Sequence, residues 1–216
     1  MGNFNLGIFL LAVLPVLLAI TVHEAAHGYA ARYYGDRTAE QLGRLTLNPL
    51  AHIDPIGTIV VPAVMFFTTG FMFGWAKPVP VVTRNLRDTR IGMRMVAIAG
   101  PASNFAMMFG WAVLMMLSPL VPESFQYPMR QMATFGVTIN AVLFVLNMLP
   151  ILPLDGGRFV DTFLPAKASY SFRKIEPYGM WILIALLFTG MLNKIMQPFL
   201  AVVLGLVQSF IRLLGG

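Results

Sequence analysis

Residues 6–22 read LGIFLLAVLPVLLAITV and run without a break into HEAAHGYAARYYG. An apolar run of this kind approaches the roughly 20 residues that a helix needs to cross a bilayer. Here it delivers two histidines and a glutamate to the far end of that helix. A cleaved secretory leader is the rival reading, and it fits poorly. The preceding MGNFN has no Lys or Arg, and no small-residue cleavage site precedes the polar motif. The rest of the chain has the same character. It carries 15 basic and 9 acidic residues among 216, and 57% of it is apolar. A soluble domain carries about a quarter charged residues, so this chain cannot coat a water-facing surface. Disorder is excluded, and one compact membrane-embedded unit over 1–216 is expected. With no Cys, disulfides, thiolate metal sites and a Cys nucleophile are all excluded. Any metal must be held by His and carboxylate.

Further apolar stretches fall at Ile56–Phe73, Met93–Leu117, Met132–Leu149, Tyr178–Leu192 and Met196–Leu214. The fold class that follows is an all-α polytopic membrane protein with about five or six membrane helices. Twelve of the cations fall in three segments: Arg32, Arg37 and Arg44; Lys77, Arg84, Arg87, Arg90 and Arg94; Arg158, Lys167, Arg173 and Lys174. Cytoplasmic loops are enriched in Lys and Arg, so the net charge of +6 reads as orientation and not as a nucleic-acid surface. It places the end of the first span, the start of the third and the end of the fourth on the cytoplasmic side. A full crossing by Ile56–Phe73 would put the five-cation segment outside. That stretch is therefore read as a re-entrant or extended segment, about 53–83, with a conventional crossing as the alternative. Irregular backbone at membrane depth needs protein or a wet cavity around it.

His23 and His27 are four residues apart, on one face of the expected helix. Two imidazoles so placed can reach one tetrahedral zinc, and Glu24 beside them can take a proton from a water held there. The ordinary reading is an interfacial helix end with snorkelling polar groups. Position weighs against it, because ionisable groups inside a span are costly and usually functional, and His23 lies about 25 Å along the helix. A catalytic zinc commonly has three protein ligands. Glu40, Glu123 and Glu176 sit among polar loop neighbours. Asp155 sits in NMLPILPLDGGRF, where Pro150 and Pro153 stop regular helix and Gly156 and Gly157 permit close backbone approach. It is the best third ligand. Asn147 is either helix–helix glue or a donor to the oxyanion formed on attack. Asn104, in GPASNF, has the same two readings, with structure favoured. His52 in LAHIDP is taken as a loop or interfacial residue.

Together HEAAH, GPASNF and NMLPILPLDGGR, in that order, resemble the site-2 protease family of intramembrane zinc metalloproteases. GRLTLNPLAHIDPIGT and GWAKPVPV resemble a compact bacterial and archaeal branch. The likeness covers about residues 15–160. It implies a three-helix catalytic core (about 6–34, 93–118 and 131–160) with accessory helices at about 178–214. It implies Zn2+ held by His23, His27 and Asp155, Glu24 as the base that activates a zinc-bound water, and Asn147 as a substrate or transition-state contact. Many relatives carry a PDZ domain or a CBS pair; none is found within these residues. The implied partners are the lipid bilayer and a transmembrane segment of a protein substrate. Such a substrate could be a remnant signal peptide or a membrane-tethered regulator such as an anti-sigma factor. The implied location is the prokaryotic inner membrane, with the active site toward the cytoplasm. The competing class is a catalytically silent membrane chaperone or transporter-like member of the same fold. A prenyl-protein protease is a third reading, and the NMLPILPLDGGR segment argues against it.

Overall fold

The structure is a computed structural model that describes residues 6–61, 64 and 74–215. It is all-helical, with no strand among the described residues. Helix α1 spans Leu6–Tyr33 and is followed by a single turn, α2, Thr38–Gln41. The chain then makes a 3-10 turn at Pro49–His52 and a π-helical turn at Pro55–Val60. Helix α3 spans Thr89–Met116 and α4 spans Glu123–Asn147. Two short helices follow, α5 at Asp155–Asp161 and α6 at Ala166–Arg173. The chain ends in α7, Glu176–Phe188, and α8, Met191–Gly215.

Four of the described helices are long and apolar enough to cross a membrane: α1, α3, α4 and α8. Their limits differ from the apolar stretches for local reasons. Asp88 caps α3 by accepting from the Ile91 amide at 2.8 Å, so this helix opens at Thr89, ahead of its apolar part. Helix α4 starts at Glu123, where Pro122 delivers the chain in extended geometry, and its first turns (ESFQYPMR) mix polar and apolar residues. An apolar window cannot register such turns. The stretch Tyr178–Leu192 does not form a span. Helix α7 has 13 residues, or about 20 Å, against a hydrocarbon core of about 30 Å, and a turn at Gly190 separates it from α8.

Helices α1, α3 and α4 pack most extensively on one another. The contact between α3 and α4 is lined by Met108, Trp111 and Ala112 on one side and Ala133, Val137, Ala141 and Val145 on the other. Small residues let helix backbones approach closely where lipid supplies no hydrophobic drive. Helix α8 closes this core with Leu192, Met196, Val203 and Val207.

The stretch Ile56–Phe73 lies mostly outside the described residues, but its two ends are described. The Trp75 amide donates to the Gly57 carbonyl at 3.0 Å and the Lys77 amide to His52 at 3.0 Å, while the Thr58 hydroxyl donates to Trp75 O at 2.9 Å. The chain therefore leaves and re-enters the described structure at one place. From there, residues 77–82 run past the end of α1.

Candidate active site

One turn of α1 places His23 and His27 side by side, both at least nine-tenths buried. Their Nε2 atoms are 3.0 Å apart. Asp155 opens α5 and brings Oδ2 to 3.1 Å from Nε2 of His23 and 3.3 Å from Nε2 of His27. The approach depends on a tight turn. A side chain at Gly156 would collide with the Met148 and Leu149 carbonyls at 2.5 Å, so glycine lets α5 fold back against the end of α4.

The tautomers follow from the other ring nitrogens. Nδ1 of His27 faces the Val96 carbonyl at 2.7 Å, an acceptor, so it must carry the proton. Nδ1 of His23 faces Asn104 Oδ1 at 2.6 Å. The Asn104 amide is oriented by its own donations, to Ala19 O at 3.1 Å and to Asn140 Oδ1 at 2.9 Å. Asn140 in turn donates to Gly136 O at 2.8 Å. In the neutral imidazoles that bind metals, both Nε2 atoms are therefore bare, and they face each other and a carboxylate oxygen that has no hydrogen-bond partner. Three lone pairs pointed at one another repel unless a cation sits among them. Their separations of 3.0, 3.1 and 3.3 Å match the edge of about 3.3 Å expected between tetrahedral ligands with bonds of about 2.0–2.1 Å to zinc. The donor set is chemically suited to zinc, and the outer hydrogen bonds to Asn104 and Val96 are the kind that orient metal-binding imidazoles.

Helix α3 can come this close because position 100 is glycine. A Cβ there would lie 2.4 Å from His27 Nε2 and 2.7 Å from His23 Cε1. The GPASN pattern therefore has two jobs: Gly100 makes room for the imidazoles, and Asn104 one turn later holds His23.

The sequence-expected residues His23, Glu24, His27, Asn147 and Asp155 all line one cavity of about 170 Å³. Pro78, Val79 and Val81 form another part of its wall. Glu24 Oε2 accepts from the Val79 amide at 2.7 Å. His52 is elsewhere, buried with Nε2 against Thr46 O at 2.9 Å.

Three contributors were not singled out in the sequence. Asn140 is fully buried but lies in an unremarkable apolar stretch of α4. The Val79 amide is backbone, for which side-chain patterns carry no signal. Asp36, just past α1, is fully buried and accepts from the Val82 amide at 2.6 Å, from Thr38 and from Asn85 Nδ2 at 3.1 Å. Burial pushes its carboxyl up, but these hydrogen bonds outweigh that and hold it below the usual carboxylate range. Asp36 and Glu24 thus tie the 79–82 segment to α1 at two points.

Comparison with known proteins gives a consistent result. The family model for peptidase family M50 matches residues 114–190, which include Asn147 and Asp155. A Bacillus subtilis protein named "Putative zinc metalloprotease YwhC" is 35% identical over 192 residues, covering 87% of this chain and 84% of its own. A Mycolicibacterium smegmatis protein named "Putative zinc metalloprotease Rip2" is 28% identical, covering 87% of this chain and 70% of its own. No solved structure matches the chain significantly.

Proposed function

Because the chain belongs to peptidase family M50, the site-2 protease family of zinc metalloproteases, we propose that it is an intramembrane endopeptidase cutting transmembrane segments of membrane-protein substrates. The observation that carries this reading is the His23–His27–Asp155 donor triangle opening into the same cavity as Glu24. These three residues would hold the zinc. When bound, zinc polarises the scissile carbonyl and makes the attacking water more acidic.

The remaining work falls to the chain itself. Glu24 takes the proton of the attacking water and returns it to the leaving amine. The Val79 amide holds one of its oxygens, so the other is the one free to move the proton. Asn147, on the cavity wall, donates to the oxyanion that develops on attack. A helical substrate hides its carbonyls in its own hydrogen bonds and must be unwound. Lys77–Val82, kept from regular helix by Pro78 and Pro80, can hold the unwound stretch as an added strand. Crosslinking from Val81 to a trapped substrate tests that clamp, and its absence would defeat it.

In this reading the catalytic core is 6–34, 93–118 and 131–160, with the re-entrant segment at 53–83 and accessory helices at 178–214. The pairing of His52 and Gly57 with Lys77 and Trp75 supports re-entry, since a single crossing puts its ends on opposite sides. The protein is an integral membrane protein. Its cation-rich segments favour an orientation with the site toward the cytoplasm, and the family resemblance suggests a prokaryotic inner membrane. Substrates of the expected kind are remnant signal peptides and membrane-tethered regulators such as anti-sigma factors.

The test is Glu24→Gln in purified protein. It should retain stoichiometric zinc and lose cleavage of a transmembrane-segment peptide. Full activity in this variant sinks the role of Glu24.

A further inference from the structure

Met93 and Arg158 each border two cavities. One is the candidate active site. The other is larger, about 540 Å³, and lies between the start of α3, helices α5 and α6, and the start of α7. Its size is that of a ligand site, and three arginines line it: Arg90, Arg158 and Arg173.

The charges in this cavity do not cancel. Two carboxylates, Asp161 and Glu176, stand against the three guanidinium groups. Asp161 is fully used: Nε and Nη2 of Arg173 reach Oδ2 at 2.7 Å, and Ser169 Oγ donates to Oδ1 at 2.6 Å. Glu176 lies 3.6 Å from Arg158 Nη2, and both of these side chains are about half exposed. Arg90 has no carboxylate partner among the described residues. Its one hydrogen bond among the described residues is to the Leu164 carbonyl at 3.5 Å, the outer limit of such a bond. One guanidinium is therefore surplus, and a second is loosely held. Guanidinium groups bind carboxylates in a paired, planar geometry.

Arg158 stands three residues beyond Asp155 on α5, at the boundary between the two cavities. A peptide held beside Asp155 that leaves past Arg158 enters the larger cavity. We propose that this cavity binds the flank of the substrate next to the scissile bond and selects flanks carrying Asp or Glu, with Arg90 and Arg158 as specificity-determining residues. This rests on the proteolytic reading above.

The test uses full-length zinc-loaded protein in phosphatidylcholine vesicles. Matched transmembrane peptides differ only in whether the residues flanking the cut, on either side, are Asp/Glu or Asn/Gln. Binding is measured in parallel with the Glu24→Gln protein. On one side of the cut, the acidic peptide should show a KM and a dissociation constant about tenfold lower than its amide twin. Arg90→Gln should reduce that preference several-fold. Raised salt should weaken the preference. Equal KM for the twins on both sides, with cleavage intact, overturns the proposal and leaves the proteolytic reading standing. Preferential binding of acidic twins with no cleavage by the wild type upholds the site and removes the proteolytic reading. An effect of Arg90→Gln that appears only in vesicles with anionic lipid, whatever the flank, assigns the cavity to a lipid phosphate and also overturns the proposal.

Discussion

His23 and Asn104, 81 residues apart in the chain, meet through a 2.6 Å hydrogen bond between Nδ1 and Oδ1. The bond directs the other face of the imidazole at His27 and Asp155. Asn140 holds the Asn104 amide in the orientation that makes it possible. Buried amides inside membrane helices are costly when left unpartnered, and the amide nitrogen and oxygen of both residues have partners here.

Loss of this support should appear as weaker metal binding. Outer hydrogen-bond partners of metal-binding histidines are worth about 10–100-fold in affinity. Asn104→Leu should lose zinc affinity within that range, and Asn140→Leu should lose less, because it acts through Asn104. Chelator competition followed by metal analysis measures both. Unchanged affinity in Asn104→Leu would show that the bond does not orient His23.

Gly100→Ala places a methyl group 2.4 Å from His27 Nε2. The helical content of the variant should be close to that of the wild type, because alanine favours helix. Its zinc stoichiometry should fall well below one. Circular dichroism beside metal analysis separates the two effects, and a Gly100→Ala protein with full zinc would refute the close approach of α3.

The Val79 amide can be removed without touching Glu24. Val79→Pro deletes the donor at 2.7 Å and should lower kcat about 10-fold or more while zinc content holds. Val79→Ala keeps the donor and should retain most activity. If the two variants behave alike, the hydrogen bond is not what positions the carboxylate.

Asp36 lies outside the spans, and its carboxyl titrates below its ordinary value in the fold. Its contribution is present above the unfolded value of about 4 and is lost as pH falls through the lower folded value. Asp36→Ala should destabilise the protein by about 2 kcal/mol at neutral pH. The gap between variant and wild type should narrow as pH drops below about 4. Thermal unfolding in detergent across pH tests this; a gap independent of pH would remove the charge from the account.

Much of the candidate site was legible because its signals are local. HEAAH puts two imidazoles on one helical face by periodicity alone, and the glycines after Asp155 mark a tight turn. Span limits were less legible, because an apolar window sees neither the Asp88 cap nor the mixed polar and apolar opening turns of α4. The short α5 and α6 were also missed as helices; their composition does not stand out from that of loops.

By itself, the sequence determined that the chain belongs in a membrane, since so few charges cannot cover a water-facing surface, and that His, Glu and Asp must do its metal chemistry, since there is no Cys. Which atoms meet was decided only in three dimensions. The bare Nε2 atoms, the Asn104–Asn140 support, the backbone amide on Glu24 and the arginine-lined cavity beside Asp155 all join residues distant in the chain. Such contacts depend on how closely the helices pack, and packing distance is set by the pairing of small and large residues across helices, which no single segment encodes.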